Sequence, residues 1–171
     1  MSSSTPKGQF GKRIVVGVGD MQAASKEAGI ITTSALGSCM GLTVYDPVAK
    51  VGGMLHYMLV QPQEREKARA NPHMYALSGV PALFRAVQEL GGVRGRLSVC
   101  AAGGAEIMDD EDGHSIGKRN HSILRRLFWK NGIVLHAEDC GGHAARLMSL
   151  DLATGKVTST IQEEETQLWP R

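Results

Sequence analysis

Cys39 and His56 stand 17 positions apart, and these two residue types together can run acyl-transfer chemistry. An imidazole can take the proton of a thiol, and the resulting thiolate is the nucleophile. Gly37 and Ser38 immediately precede the cysteine. Glycine lets the backbone bend so that successive N–H groups converge, and such groups can hold a developing oxyanion. Thr33 lies six residues before Cys39, where its hydroxyl can accept a proton from the second imidazole nitrogen and set the tautomer. Each residue also has a plainer reading. Most free cysteines are small buried hydrophobes. His56 among Met54, Leu55, Met58 and Leu59 reads equally as a hydrogen-bonded core side chain, and Thr33 as an ordinary strand threonine.

The chemistry requires strands that bring these residues together. Residues 14–18 and 30–33 are short β-branched runs, hence strands. Met40, Leu42 and Val44 alternate with Gly41, Thr43 and Tyr45, so a strand leaves the cysteine, and Asp46-Pro47 ends it with turn chemistry. Residues 51–59 read as the returning strand of that hairpin, which places His56 beside the start of the first. Residues 61–71 are charged and flanked by proline, hence an exposed loop. Near-helical spacing predicts helices over 72–89, with Pro81 inside it, and over 116–131, each stopped at glycine. Further strands are expected at 97–102 and 133–139, and a hairpin at 147–152 and 156–161. Two main helices among about eight strands predict an α/β or α+β single domain, with helices covering packed mixed sheets. The expected organisation is a flexible tail at 1–12, one domain at 13–161 and a C-terminal tail at 162–171.

Composition narrows the function. The chain has 171 residues, 19 basic and 17 acidic, and only 8 aromatic (Trp 2, Tyr 3, Phe 3). That balance argues against nucleic-acid binding, which uses concentrated basic surface and stacking aromatics. No apolar run is long enough to insert in a membrane, and the first 13 residues lack the apolar core of a secretory signal. Three cysteines do not make a disulfide framework, so a cytoplasmic setting is expected. Gly17-Val18-Gly19 lacks the third glycine of a dinucleotide fingerprint, and Gly113 to Lys118 is one residue short of a phosphate loop. The acidic run at 109–112 fails as a calcium loop, because Met108 and Arg119 fall at ligand positions. His136-Ala137-Glu138 with Cys140 and His143 is superficially like a zinc deaminase signature. On a strand, however, His136 and Cys140 would lie about 13 Å apart at roughly 3.3 Å per residue, too far for a shared zinc ion. No metal is expected.

The runs Thr33-Ser34-Ala35-Leu36-Gly37-Ser38-Cys39, Tyr45-Asp46-Pro47 and His56 together resemble the CheD family of chemoreceptor glutamine deamidases. The resemblance continues in Ala102-Gly103-Gly104-Ala105, in Ile116-Gly117-Lys118-Arg119-Asn120, and in Ala137-Glu138-Asp139-Cys140-Gly141-Gly142 with Arg146, covering about residues 13–160. It implies a cofactor-free cysteine hydrolase on an α-β-β-α sandwich. Its substrates would be glutamines in the cytoplasmic domains of chemoreceptors, with some receptor methyl esters as well. The resemblance assigns Cys39 as nucleophile, His56 as base and Thr33 as the third, orienting member. It also implies binding of the phosphatase CheC, as many members do. Cys140 stands where relatives commonly carry threonine. The alternative is a non-enzymatic binding partner and regulator of CheC, which would function without Cys39.

Overall fold

The computed structural model describes residues 12–107, 113 and 115–171. Residues 1–11 of the N-terminal tail expected at 1–12, and the acidic loop at 109–112, lie outside them. Among the described residues, ten strands form two mixed sheets. The first contains β1 (Arg13–Val16), β3 (Ile30–Thr33), β8 (Leu147–Asp151), β9 (Val157–Ile161) and β10 (Glu164–Trp169), in that order. The second runs β2 (Asp20–Ser25), β5 (Val51–Tyr57), β4 (Met40–Asp46), β6 (Ser98–Gly103), β7 (Ala137–Cys140). Three helices join them: α1 (Arg65–Ala70), α2 (Ala76–Glu89) and α3 (Ile116–Asn131).

The apolar pattern explains the layering. Every residue of β4 and β5 is buried, as expected of central strands covered on both faces. Leu42, Val44, Leu55 and Tyr57 face Val80, Leu83 and Val87 of α2 and Leu124 and Phe128 of α3. Tyr45, Met54, Cys100 and Ala102 face the other sheet through Val16, Ile31, Met148 and Leu150. The fold is therefore α+β, one domain with two packed mixed sheets. Both long helices lie on the same sheet, giving the order helices, sheet, sheet for these elements.

The hairpin expected at the cysteine is present, with β4 and β5 antiparallel from Met40↔Tyr57 to Asp46↔Val51. Four segments differ from expectation. The strand expected at 133–139 spans only Ala137–Cys140. Asp20–Ser25, too polar to read as a strand, pairs antiparallel with β5 from Asp20↔His56 to Ser25↔Val51. Residues 65–70 form the short exposed helix α1 rather than a loop. The segment expected as a C-terminal tail instead contains β10, antiparallel to β9. It is an edge strand, exposed along Glu164 to Gln167 and anchored by buried Leu168 and by Trp169 against the His136 ring, 4.9 Å between centroids. Its side chains carry no apolar alternation because both faces from Glu164 to Gln167 meet water.

Asp46 closes β4 and ties three segments together. Its carboxylate accepts from the N–H groups of Val48 (2.8 Å), Ala49 (3.0 Å) and Val93 (2.8 Å), and pairs with Arg96 at 2.8 Å. Burial alone would raise its pKa, but Arg96 and the three backbone donors outweigh that and hold it well below the usual carboxylate range. A carboxyl depressed in the folded state adds stability above its unfolded pKa, and that stability is lost as pH falls through the folded value. Asp46→Ala should therefore lower stability by about 3 kcal/mol at pH 7, read by urea unfolding. The gap to the native protein should narrow below about pH 4.

Candidate active site

Residues 34–39 turn from β3 into β4, and Cys39 is the last residue of the bend. The bend is held through its carbonyls. Leu36 and Arg146 exchange backbone hydrogen bonds of 2.7 and 3.0 Å. The Gly37 carbonyl accepts from Ala105 N–H and the Cys39 carbonyl from Gly104 N–H, both at 2.9 Å. The Ser38 carbonyl accepts from the Asn120 side chain, also at 2.9 Å. Three successive carbonyls thus face the protein. Among the described residues, the N–H groups of Gly37, Ser38 and Cys39 find no backbone acceptor. Those N–H groups are the candidates for an oxyanion hole.

Cys39 is half-buried. Burial pushes its thiol pKa up, and the residue's own backbone N–H partly offsets this. The other two thiols are poorer nucleophile candidates. Cys100 is buried in the core with its pKa pushed up to about 11, chiefly by burial. Burial first, then the neighbouring Glu138, push Cys140 up to about 12.

His56 lies on β5 with no exposed surface. Its Nδ1 is 3.2 Å from the Val16 carbonyl oxygen, and Ser34 Oγ is 3.5 Å from the same nitrogen. A carbonyl only accepts, so Nδ1 carries the proton and Nε2 presents its lone pair. Nε2 is buried and has no hydrogen-bond partner among the described residues. Burial depresses the imidazole pKa, with the Val16 carbonyl and Asp20 opposing it. The neutral imidazole is thus the resting form near neutral pH, with its basic atom free.

The strand register brings the pair to one place. Gly41 lies opposite His56 across β4 and β5. Extending that register puts Cys39 on the diagonal from His56, where Cα atoms are about 7–8 Å apart and side chains can reach each other. Both side chains face the space between the sheets: Cys39 packs on that core, and His56 shares its strand face with Met54, which lies in it. Position 41 has no room for a side chain: a Cβ there would stand 3.0 Å from Leu36 Cδ1, 3.1 Å from Met148 Sδ and 3.4 Å from Thr33 Cγ2.

Thr33, 2 % exposed, comes from the opposite sheet to this same space. Its Oγ1 accepts from Met148 N–H at 3.0 Å. The ring's hydrogen bonds go to Val16 and Ser34, so among the described residues Thr33 makes none with His56. The Val16 carbonyl carries no sequence signal at all, since every residue has one. Asn120 was legible only as part of a motif. Its side chain donates to Ser38 O (2.9 Å) and Met58 O (2.7 Å), so it staples the cysteine bend to the end of the histidine strand. Asn120→Ala would strand two acceptors at about 1–3 kcal/mol each. We expect a loss of about 3 kcal/mol in urea unfolding, together with a lower kcat.

His136 and His143 are not gathered with Glu138 and Cys140. His136 Nδ1 accepts from Val99 N–H at 3.0 Å, and exposed His143 lies 3.4 Å from the Glu106 carbonyl.

Comparison with known proteins places the chain among relatives. A family model described as CheD chemotactic sensory transduction matches residues 58–160. A protein of Syntrophus aciditrophicus named probable chemoreceptor glutamine deamidase CheD 1 is 40% identical over 145 residues, 84% of this chain and 91% of its own. Proteins named probable chemoreceptor glutamine deamidase CheD from Solibacter usitatus and Pyrococcus abyssi are also similar. The first is 41% identical over 160 residues, 93% of this chain and 95% of its own. The second is 44% identical over 148 residues, 85% and 90% respectively.

Proposed function

This chain belongs to the CheD family, and we propose that it deamidates glutamine side chains of chemoreceptors, with Cys39 as nucleophile and His56 as base. One observation carries the assignment of the pair: a fully buried imidazole, its Nδ1 proton committed to Val16, holds an unpartnered Nε2 on the strand beside the cysteine bend.

The steps follow from that geometry. Nε2 takes the thiol proton as the sulfur attacks the carbon of the substrate's side-chain amide. The tetrahedral oxyanion is met by N–H groups of the bend, between Gly37 and Cys39. The imidazolium returns its proton to the nitrogen as the C–N bond breaks, and ammonia leaves. A water gives a proton to Nε2 and attacks the thioester, the C–S bond breaks, and the thiol is restored with a glutamate product. A receptor methyl ester would enter the same acyl-enzyme, losing methanol in place of ammonia. Thr33 lines the space before the imidazole; its role in this reading is to support β8 and shape the pocket through Met148.

Burial favours the neutral form of both groups, moving the pKa of His56 down and that of Cys39 up. In this reading His56 acts as a general base that takes the thiol proton during attack. No described helix is long and apolar enough to cross a membrane, and substrate would be met at the cytoplasmic domains of receptors. Binding of the phosphatase CheC belongs to the same reading and is tested by co-elution of the two purified proteins.

The decisive experiment incubates the protein with a purified receptor cytoplasmic domain and maps the product by mass spectrometry. A gain of about one mass unit at defined glutamines, matched by released ammonia, supports the proposal. Peptide-bond cleavage, or no change at any glutamine, overturns it.

A further inference from the structure

Outside the Cys39–His56 pair, a second cluster joins three residues that no step above uses. Glu138 and Cys140 sit two apart on β7 and share its helix-facing side. His121 reaches them from α3. The imidazole, carboxylate and thiol donor atoms all lie within 4.8 Å of one another. His121 Nε2 and Glu138 Oε2 are 3.0 Å apart. Two ligands about 2.0–2.2 Å from a tetrahedral ion stand slightly farther apart than that, so this edge of a coordination shell needs almost no movement.

We propose that His121, Glu138 and Cys140 form a zinc site. Three observations beyond proximity favour it. The donors are one nitrogen, one oxygen and one sulfur, a set suited to borderline-soft zinc rather than to calcium or magnesium, which take oxygen. The carboxylate is already divided: Oε1 faces Arg125 at 3.5 Å while Oε2 faces His121, the arrangement in which an outer partner orients a ligand and leaves one oxygen for the ion. The charges also close. A divalent ion with one thiolate, one carboxylate and a neutral imidazole is electrically neutral, whereas Arg125 is 65% exposed and free to keep its charge in water. Binding displaces the Cys140 thiol proton, and the imidazole binds neutral through Nε2. Three protein ligands leave the fourth position to water.

The location gives the site a consequence. Cys140 pairs with Gly103 across β6 and β7, and a Cβ on Gly104 would stand 3.4 Å from that of His121. The Gly104 N–H holds the Cys39 carbonyl. An ion here ties α3 to β7 directly behind the corner that carries the nucleophile, so it acts as a clamp.

The test uses the full chain carrying Cys39→Ala, which removes the nucleophilic thiol as a competing ligand. Equilibrium dialysis should find one zinc per chain. Cobalt(II) should give the visible bands of a tetrahedral ion and a near-ultraviolet thiolate-to-cobalt band. Because Cys100 is 1 % exposed in the core, that band reports Cys140 even without further substitutions. Adding Cys140→Ser or His121→Gln, each checked for folding by circular dichroism, should weaken zinc more than the roughly 10–100-fold that outer partners control. Zinc should also raise the melting temperature of the Cys39→Ala protein and not of the double variants. Absence of stoichiometric metal, a cobalt spectrum with no thiolate band, or affinity unchanged in both double variants would overturn the site. None of these readouts depends on deamidase activity.

Discussion

Cys39→Ala is expected to abolish ammonia release from receptor domains, a fall of roughly 10⁴- to 10⁶-fold in kcat/KM. No other thiol can substitute, since Cys100 is buried in the core and Cys140 lies on the helix-facing side of its sheet, away from the space that Cys39 and His56 share. The variant should stay folded. The bend is anchored by the carbonyls of Gly37, Ser38 and Cys39, and none of those bonds uses the sulfur. Truncating a half-buried cysteine at a loop edge should cost about 1 kcal/mol. Unfolding curves that nearly coincide, beside lost turnover, separate chemistry from stability. Turnover within tenfold of the native enzyme would remove Cys39 from the mechanism, whereas no turnover by either protein, with CheC bound equally by both, would favour the reading of the chain as a non-enzymatic regulator of CheC.

His56→Gln is expected to lower kcat/KM by about 10²- to 10⁴-fold at pH 7, and the pH dependence is the sharper reading. In the native enzyme, activity should fall on the acid side as the imidazole protonates, below its ordinary value of 6.5 because burial depresses it. Without the base, the reaction needs thiolate formed by solvent. The Cys39 thiol ionises above its ordinary value of 9.0. The rate of the variant should therefore climb about tenfold per pH unit from pH 7 towards 9, and its deficit should shrink in step. A deficit that stays constant across that range would mean that His56 supports the structure and moves no proton. Glutamine at this position also probes Val16: its amide can still donate to that carbonyl, whereas alanine would leave it bare and should cost about 1–3 kcal/mol of stability besides.

The parts of this molecule that local pattern encodes were legible in the chain. The alternation from Met40 to Tyr45 and the turn at Asp46-Pro47 specify the hairpin that brings His56 to the cysteine, because strand periodicity and turn chemistry act over a few residues. The glycine stops of α2 and α3 were visible for the same reason. Asp20–Ser25 and Glu164–Trp169 were not, since each becomes a strand by pairing with a neighbour rather than by its own apolar content.

The site divides along the same line. Residue type and spacing alone pointed to a thiol, a base and a turn able to offer N–H groups, because those capacities belong to the side chains and to the backbone beside a glycine. Which nitrogen of His56 is basic depends on the Val16 carbonyl, 40 residues earlier in the chain. The support of the bend depends on Asn120, 82 residues from Ser38. The grouping of His121 with Glu138 and Cys140 depends on a helix laid over a sheet edge. Such contacts join groups that nearly every chain possesses, and only the stacking of sheets and helices selects among them. Their energies come from desolvation and hydrogen-bond geometry in the packed interior, and neither exists until the chain has folded.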